Sequence, residues 1–146
     1  MTNTITYLFV TLTLWMLAPY GTAAEITVRS GEITKGKDGG DVVSETKVMS
    51  LTESLHYGWM AHTNDPRAKV TYTETLKLPA TGYNYLGLAA TPAKTEIVMT
   101  KELDVVNGFF GHKWKPSRDD PGGEYTIVVT VDGKVILDTK FSLMPP

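Results

Sequence analysis

His56, His62 and His112 are the side chains of this sequence best suited to bind a metal. Imidazole, thioether and carboxylate groups bind copper or zinc together, and Met49, Met60, Met99 and Asp65 are available in the same chain. The spacing itself is uninformative. His56 and His62 lie six positions apart, which on one strand means the same face at a separation of about 20 Å. Only a turn between them, at Gly58, brings them together; otherwise the three are surface or loop histidines. A second group is Asp119, Asp120 and Glu124 around Pro121-Gly122-Gly123. Two carboxyls about 5–10 Å apart in a cleft make an acid/base pair for a hydrolase, but Asp before Pro-Gly-Gly is also common turn chemistry. The spacing of an EF-hand calcium loop is missing there. No cysteine and no Gly-x-Ser-x-Gly elbow supplies a nucleophile, and Gly36, Gly39 and Gly40 open no helix that cradles phosphate.

The aromatic residues form a more suggestive set. Tyr83 and Tyr85 sit two apart in the Gly-bounded stretch from Thr81 to Gly87; Phe109 and Phe110 follow Asn107-Gly108, and Trp114 comes soon after. Aromatic side chains in loops serve as binding anchors because they offer large area at low entropy cost. The competing reading is that they fill the core or plug its ends, as Trp114 and Trp59 would in a sandwich.

Period-two alternation supplies the elements that must carry these residues. From Lys69 to Leu78, Val70, Tyr72, Leu76 and Leu78 share one face and Thr71, Thr73, Thr75 and Lys77 the other. Glu74 alone breaks the pattern, a carboxylate on the apolar side. Tyr125, Ile127, Val129 and Val131 mark a second strand; Val135, Leu137, Phe141 and Leu143 are expected to share a face of a third. Between the last two stands Asp132-Gly133, a strong signal for a two-residue hairpin turn. Further strands are expected at Glu25–Ser30, Val42–Met49 (returning against the first), Leu86–Thr91 and Glu96–Leu103, with one helical turn at most between Leu51 and Tyr57. Short strands separated by frequent turn signals predict an all-β fold: an immunoglobulin-like antiparallel β-sandwich of about seven strands, with a small barrel as the alternative.

Residues 1–24 read as a secretory signal peptide. Tyr7–Leu17 is an apolar run too short to span a bilayer, which needs about 20 residues. A Pro19-Tyr20-Gly21 breaker follows, then small residues suited to cleavage after Ala24 or Ala23. Met1–Phe9 lacks Lys and Arg, which leaves an uncleaved anchor as the other reading. Residues 25–146 then form a single domain, with no stable membrane span once the signal is removed. The absence of cysteine means that its core alone holds it together. No Asn-x-Ser/Thr acceptor occurs, so a bacterial periplasmic or secreted protein is expected. A net charge of −2, without basic runs, gives no pull towards nucleic acid.

The chain resembles an uncharacterised bacterial exported family, domain of unknown function 3859. The likeness is carried by Thr27-Val28-Arg29-Ser30-Gly31-Glu32-Ile33, by Leu78-Pro79-Ala80-Thr81-Gly82-Tyr83-Asn84-Tyr85-Leu86-Gly87-Leu88, and by Trp114, Pro121-Gly122, Gly133-Lys134 and Phe141-Ser142-Leu143. Where that family usually has an aromatic after the late Pro-Gly, this chain has Gly123-Glu124-Tyr125. The resemblance implies an immunoglobulin-like fold and no chemistry.

These observations lead to an exported, non-catalytic binding or accessory module that needs no cofactor. It is expected to recognise a protein or cell-envelope partner through loop aromatics (Tyr83, Tyr85, Phe109, Phe110, Trp114) or an open sheet edge. Metal handling through His56, His62 and His112 is the alternative, and a carboxylate hydrolase ranks last.

Overall fold

The structure, a computed structural model, describes residues 25–79, 96–116 and 120–145. Nine strands are found among them: β1 Ile26–Lys35, β2 Asp41–Ser44, β3 Val48–Ser50, β4 Tyr57–Thr63, β5 Lys69–Lys77, β6 Glu96–Asp104, β7 Phe109–Trp114, β8 Gly123–Val131 and β9 Lys134–Met144. They make two sheets. Sheet A has the order β2-β1-β4-β7 and sheet B the order β3-β9-β8-β5-β6. Neighbours are antiparallel except for β3 and β9, which run parallel with Val48 opposite Ser142.

Alternation explains why the two sheets stack. On β5, Val70, Tyr72, Glu74 and Leu76 are buried, and on β8 so are Tyr125, Ile127, Val129 and Val131. Facing them from sheet A are Tyr57, Trp59 and Ala61 of β4 with Phe110 and Trp114 of β7. Side chains of both inner faces merge into one core, the arrangement expected of a sandwich. Its centre is aromatic. Tyr125 stacks on Phe141 at 5.3 Å, Tyr57 lies 4.8 Å from Phe141, and Trp59 meets Tyr72 edge-on at 5.3 Å. The Tyr125 hydroxyl donates to the carbonyl of Pro121 at 2.7 Å. A tyrosine bonding back to the chain just upstream of its own strand is also the corner feature of immunoglobulin sandwiches.

Asp132 and Gly133 both have positive φ, 50° and 77°, and link β8 to β9 by the two-residue turn that the sequence predicts. One detail of β9 differs from expectation. The β8–β9 register shifts at Val129/Thr130, so that Leu137 pairs with Val129 but Val135 pairs with Thr130. Ile136 is thus an extra residue, and the bulge moves Val135 off the face of Leu137 and leaves it 54% exposed. The single strand expected over Val42–Met49 is two: β2 pairs with β1 in sheet A, and β3 joins sheet B. Between Leu51 and Tyr57 there is a hydrogen-bonded turn, Leu55 N–H to Thr52 carbonyl, in place of a helical one. Leu86–Thr91 lies outside the described residues. Among the described residues no helix is long and apolar enough to cross a membrane.

Candidate functional site

Two places gather chemically capable side chains, one inside the sandwich and one on its surface. The inner one is built on Glu74. Its side chain is fully buried, and three residues of sheet A reach across the core to it. The Trp59 indole N–H donates to Oε2 at 2.9 Å, the Trp114 indole N–H donates to Oε1 at 3.0 Å, and His112 Nδ1 lies 3.2 Å from Oε2. The register explains the convergence: Trp59 is directly opposite His112 in the β4–β7 pair, and Trp114 is two residues further along the same face. The His112 ring packs on Trp114 at 4.3 Å and faces Tyr72 at 5.9 Å. The Tyr72 hydroxyl, buried and without a hydrogen-bond partner among the described residues, is pushed up to about 12 by burial and then by the nearby Glu74. A carboxyl with no solvent-exposed surface has no route to a substrate. Its chemistry here is to tie sheet B to sheet A.

The close approach of β4 and β7 behind this cluster depends on Gly58. A Cβ there would lie 2.0 Å from the backbone oxygen of His112, so that no other residue fits without separating the strands.

The outer site lies on the opposite face of sheet A. Alternate residues of β4 and β7 point away from the core, placing His62 beside Phe109 and Met60 beside Gly111. Phe109 is 50% exposed and rests on the His62 ring at 4.7 Å. Val106 and Val42 are exposed too. Two grooves meet at Met60 and Phe109: one is lined in part by Val42 and Arg29, the other by Val106 and Ile33. Charged groups frame them. Asp41 bridges Lys35 at 2.8 Å and Lys113 at 3.0 Å, and these two ammonium groups hold its carboxyl below the ordinary carboxylate range. Arg29 faces Glu45 at 3.8 Å.

The residues singled out from the sequence are therefore dispersed. Phe110 and Trp114 face inward and belong to the core, whereas Phe109 is presented to solvent. Tyr83 and Tyr85 lie outside the described residues. His62 and His112 occupy opposite faces of one sheet, and His56 bonds through Nδ1 with the Ser54 carbonyl at 3.1 Å. The three histidines are not brought together, and among the described residues no group of three or more His, Asp and Glu side chains is placed to hold a metal ion. Asp120 is buried, while Glu124 is exposed and bridged to Lys140 at 2.7 Å; Asp119 lies outside the described residues. Two strands escaped the sequence reading, β4 and β7, and with them the frame of both sites. One signal for β7 was available: Asn107-Gly108, whose positive φ values of 52° and 81° make a second tight turn from Val106 to Phe109.

Comparison with known proteins agrees with this architecture. The model of the PM0630 beta sandwich domain matches residues 28–144. The chain belongs to this family. A solved immunoglobulin-like protein from Pseudomonas aeruginosa, PA1606, is similar with a TM-score of 0.60 at 9% identity, over 82% of this chain and 97% of that one. At such identity the likeness shows the fold alone. A β-glucosidase from Listeria innocua (TM-score 0.44, 10% identity) and the DNA glycosylase AlkC from Pseudomonas fluorescens (0.39, 14%) are more distant. Each shares 82% of this chain, but only 16% and 30% of its own length is covered, and neither bears on function. A search of curated proteins finds no match. The β-sandwich of this family and the immunoglobulin-like fold of PA1606 together agree with the fold expected from the sequence, and neither bears on the resemblance to domain of unknown function 3859.

Proposed function

We propose that this PM0630-type domain is an exported, non-catalytic binding module that engages a protein of the cell envelope through the outer face of sheet A. One observation carries the reading: Phe109 stands half-exposed where two grooves meet, flanked by Val42, Val106 and Met60. Apolar side chains collected round an aromatic, with charged groups at the margin, have the composition of a docking patch. Glu74, the acid at the centre of the core, is engaged in holding the sheets and is withdrawn from solvent, which favours binding over catalysis. Export rests on the apolar run and small-residue site of residues 1–24.

The test is site-specific crosslinking. A photoreactive side chain at position 109 of the full chain, expressed in its bacterial host, should give one discrete adduct that Val106→Asp abolishes. The same group at Val98, exposed on β6, should give none. Equal labelling from both positions, or an adduct indifferent to Val106→Asp, sinks the reading. A Tyr83→Ala/Tyr85→Ala variant reports separately whether those tyrosines contribute.

A further inference from the structure

The turn that opens β7 carries a chemical weakness that its packing makes hard to remove. Asn107 and Gly108 sit there at φ 52° and 81°. Three backbone bonds, each 2.9 Å long, hold them: Val106 N–H to the Phe109 carbonyl, Phe109 N–H to the Val106 carbonyl, and Thr63 N–H to the Gly108 carbonyl. Gly108 has no substitute. A Cβ there would lie 2.8 Å from the Thr63 backbone oxygen and 2.9 Å from His62 Nε2, besides straining the backbone. Position 107 needs a residue that tolerates the left-handed region, chiefly Asn or Asp. The β8–β9 turn uses Asp132 at φ 50°, a carboxylate engaged by Arg67. At 107 stands an exposed amide, whose side chain makes no hydrogen bond among the described residues.

An asparagine before glycine is open to attack from its own backbone, because no side chain shields the following nitrogen. The Gly108 nitrogen, giving its proton to base, bonds to Asn107 Cγ; the Cγ–N bond of the carboxamide breaks and ammonia leaves. Water then opens the five-membered imide at either carbonyl, giving aspartate or isoaspartate. Asn3, Asn64 and Asn84 precede Thr4, Asp65 and Tyr85, so Asn107 alone is followed by glycine. The native turn restrains the reaction. In the left-handed conformation the Gly108 nitrogen points away from the Asn107 side chain, so ring closure requires the turn to open first.

We propose that Asn107 is a deamidation site, clocked by opening of the Val106–Phe109 turn, whose products remodel the outer face of sheet A. Aspartate keeps the turn and adds a charge between Val106 and Phe109, both of them exposed. Isoaspartate runs the backbone through the side chain, and the extra atom breaks a turn built for two residues. The consequence for docking rests on the proposed role of that face; the chemistry does not.

Peptide mass mapping of the folded protein, held in mildly alkaline buffer, tests the site. The peptide containing Asn107 should gain the mass of amide-to-acid conversion and resolve into two products, whereas exposed Asn64 should stay unconverted. Protein unfolded in guanidinium should convert about tenfold to hundredfold faster, since the three backbone bonds no longer hold the turn closed. Asn107→Asp, a change the turn accommodates, should lower the crosslinked adduct from position 109 by about threefold to fivefold, as a charge must be partly desolvated. The proposal is overturned if Asn107 converts no faster than Asn64, if folded and unfolded chains convert at one rate, or if Asn107→Asp leaves the adduct unchanged. Failure of the docking face itself reads differently: fresh wild-type protein then gives no specific adduct while Asn107 still converts, which removes the docking consequence and upholds the site.

Discussion

Glu74 shows at the residue scale how a break in a pattern marks a structural decision. With both oxygens engaged by indole N–H groups, its removal leaves two buried donors unpaired. Glu74→Leu should lower the unfolding free energy by about 3 kcal/mol, since each buried unsatisfied donor costs about 1–3 kcal/mol; urea denaturation followed by tryptophan fluorescence measures it. A loss below about 1 kcal/mol would mean that the indoles find other partners. Tyr72 gives a pH prediction of definite sign. Burial and the neighbouring Glu74 raise its hydroxyl from 10.0 to about 12, so its contribution is fully present below pH 10. As pH climbs from 10 to 12 the unfolded chain ionises while the folded one resists, and about 2–3 kcal/mol of stability is lost. Tyr72→Phe should flatten that alkaline limb. It should also add about 1 kcal/mol near neutral pH, because the hydroxyl it removes has no partner among the described residues. The sequence exposed Glu74 as the one charge on an apolar face. It hid the partners, which lie 15, 38 and 40 residues away and meet the carboxyl only once the sheets have stacked.

Elements were legible where one face is polar and opaque where it is not. β5 and β8 alternate cleanly because their outward positions are mostly threonine, lysine or other polar residues. β4 reads Tyr-Gly-Trp-Met-Ala-His-Thr, and with Gly58 and Met60 on its outer face the two-residue period disappears. The outward glycine that blurs the pattern is also what lets β7 approach. Gly58→Ala should cost well over 2 kcal/mol, as the new methyl meets backbone rather than a yielding side chain. Hydrogen exchange should show the loss concentrated in β4 and β7. By contrast Gly133→Ala, in a turn with open space around it, strains only the backbone at φ 77° and should cost about 1 kcal/mol. If the two variants prove equally stable, the tight β4–β7 approach has been overvalued.

For the whole molecule, the two-layer plan was foreseeable from turn spacing and alternation, but the surface patch was not. Val42 comes from β2, whereas Val106 and Phe109 flank one tight turn at the start of β7, and nothing local to either segment foretells the other. The proposed export signal makes its own prediction: Edman sequencing of the protein recovered from a bacterial periplasm should begin at Glu25 or Ala24, and a chain still starting at Met1 would favour the anchor. One feature of the topology bears on how such a domain withstands tension. β3 and β9 lie parallel at the boundary where the chain changes sheets. A pull applied between the two ends of the domain would drag β9 and β3 in opposite directions along their shared axis. The bonds joining them would be loaded side by side and must yield together, whereas those of the β8–β9 hairpin would open one after another. This three-residue pairing would act as a mechanical clasp beside the β9 end, as the β1–β4 and β1–β2 bonds do beside the other, if the domain is stretched while anchored at both ends.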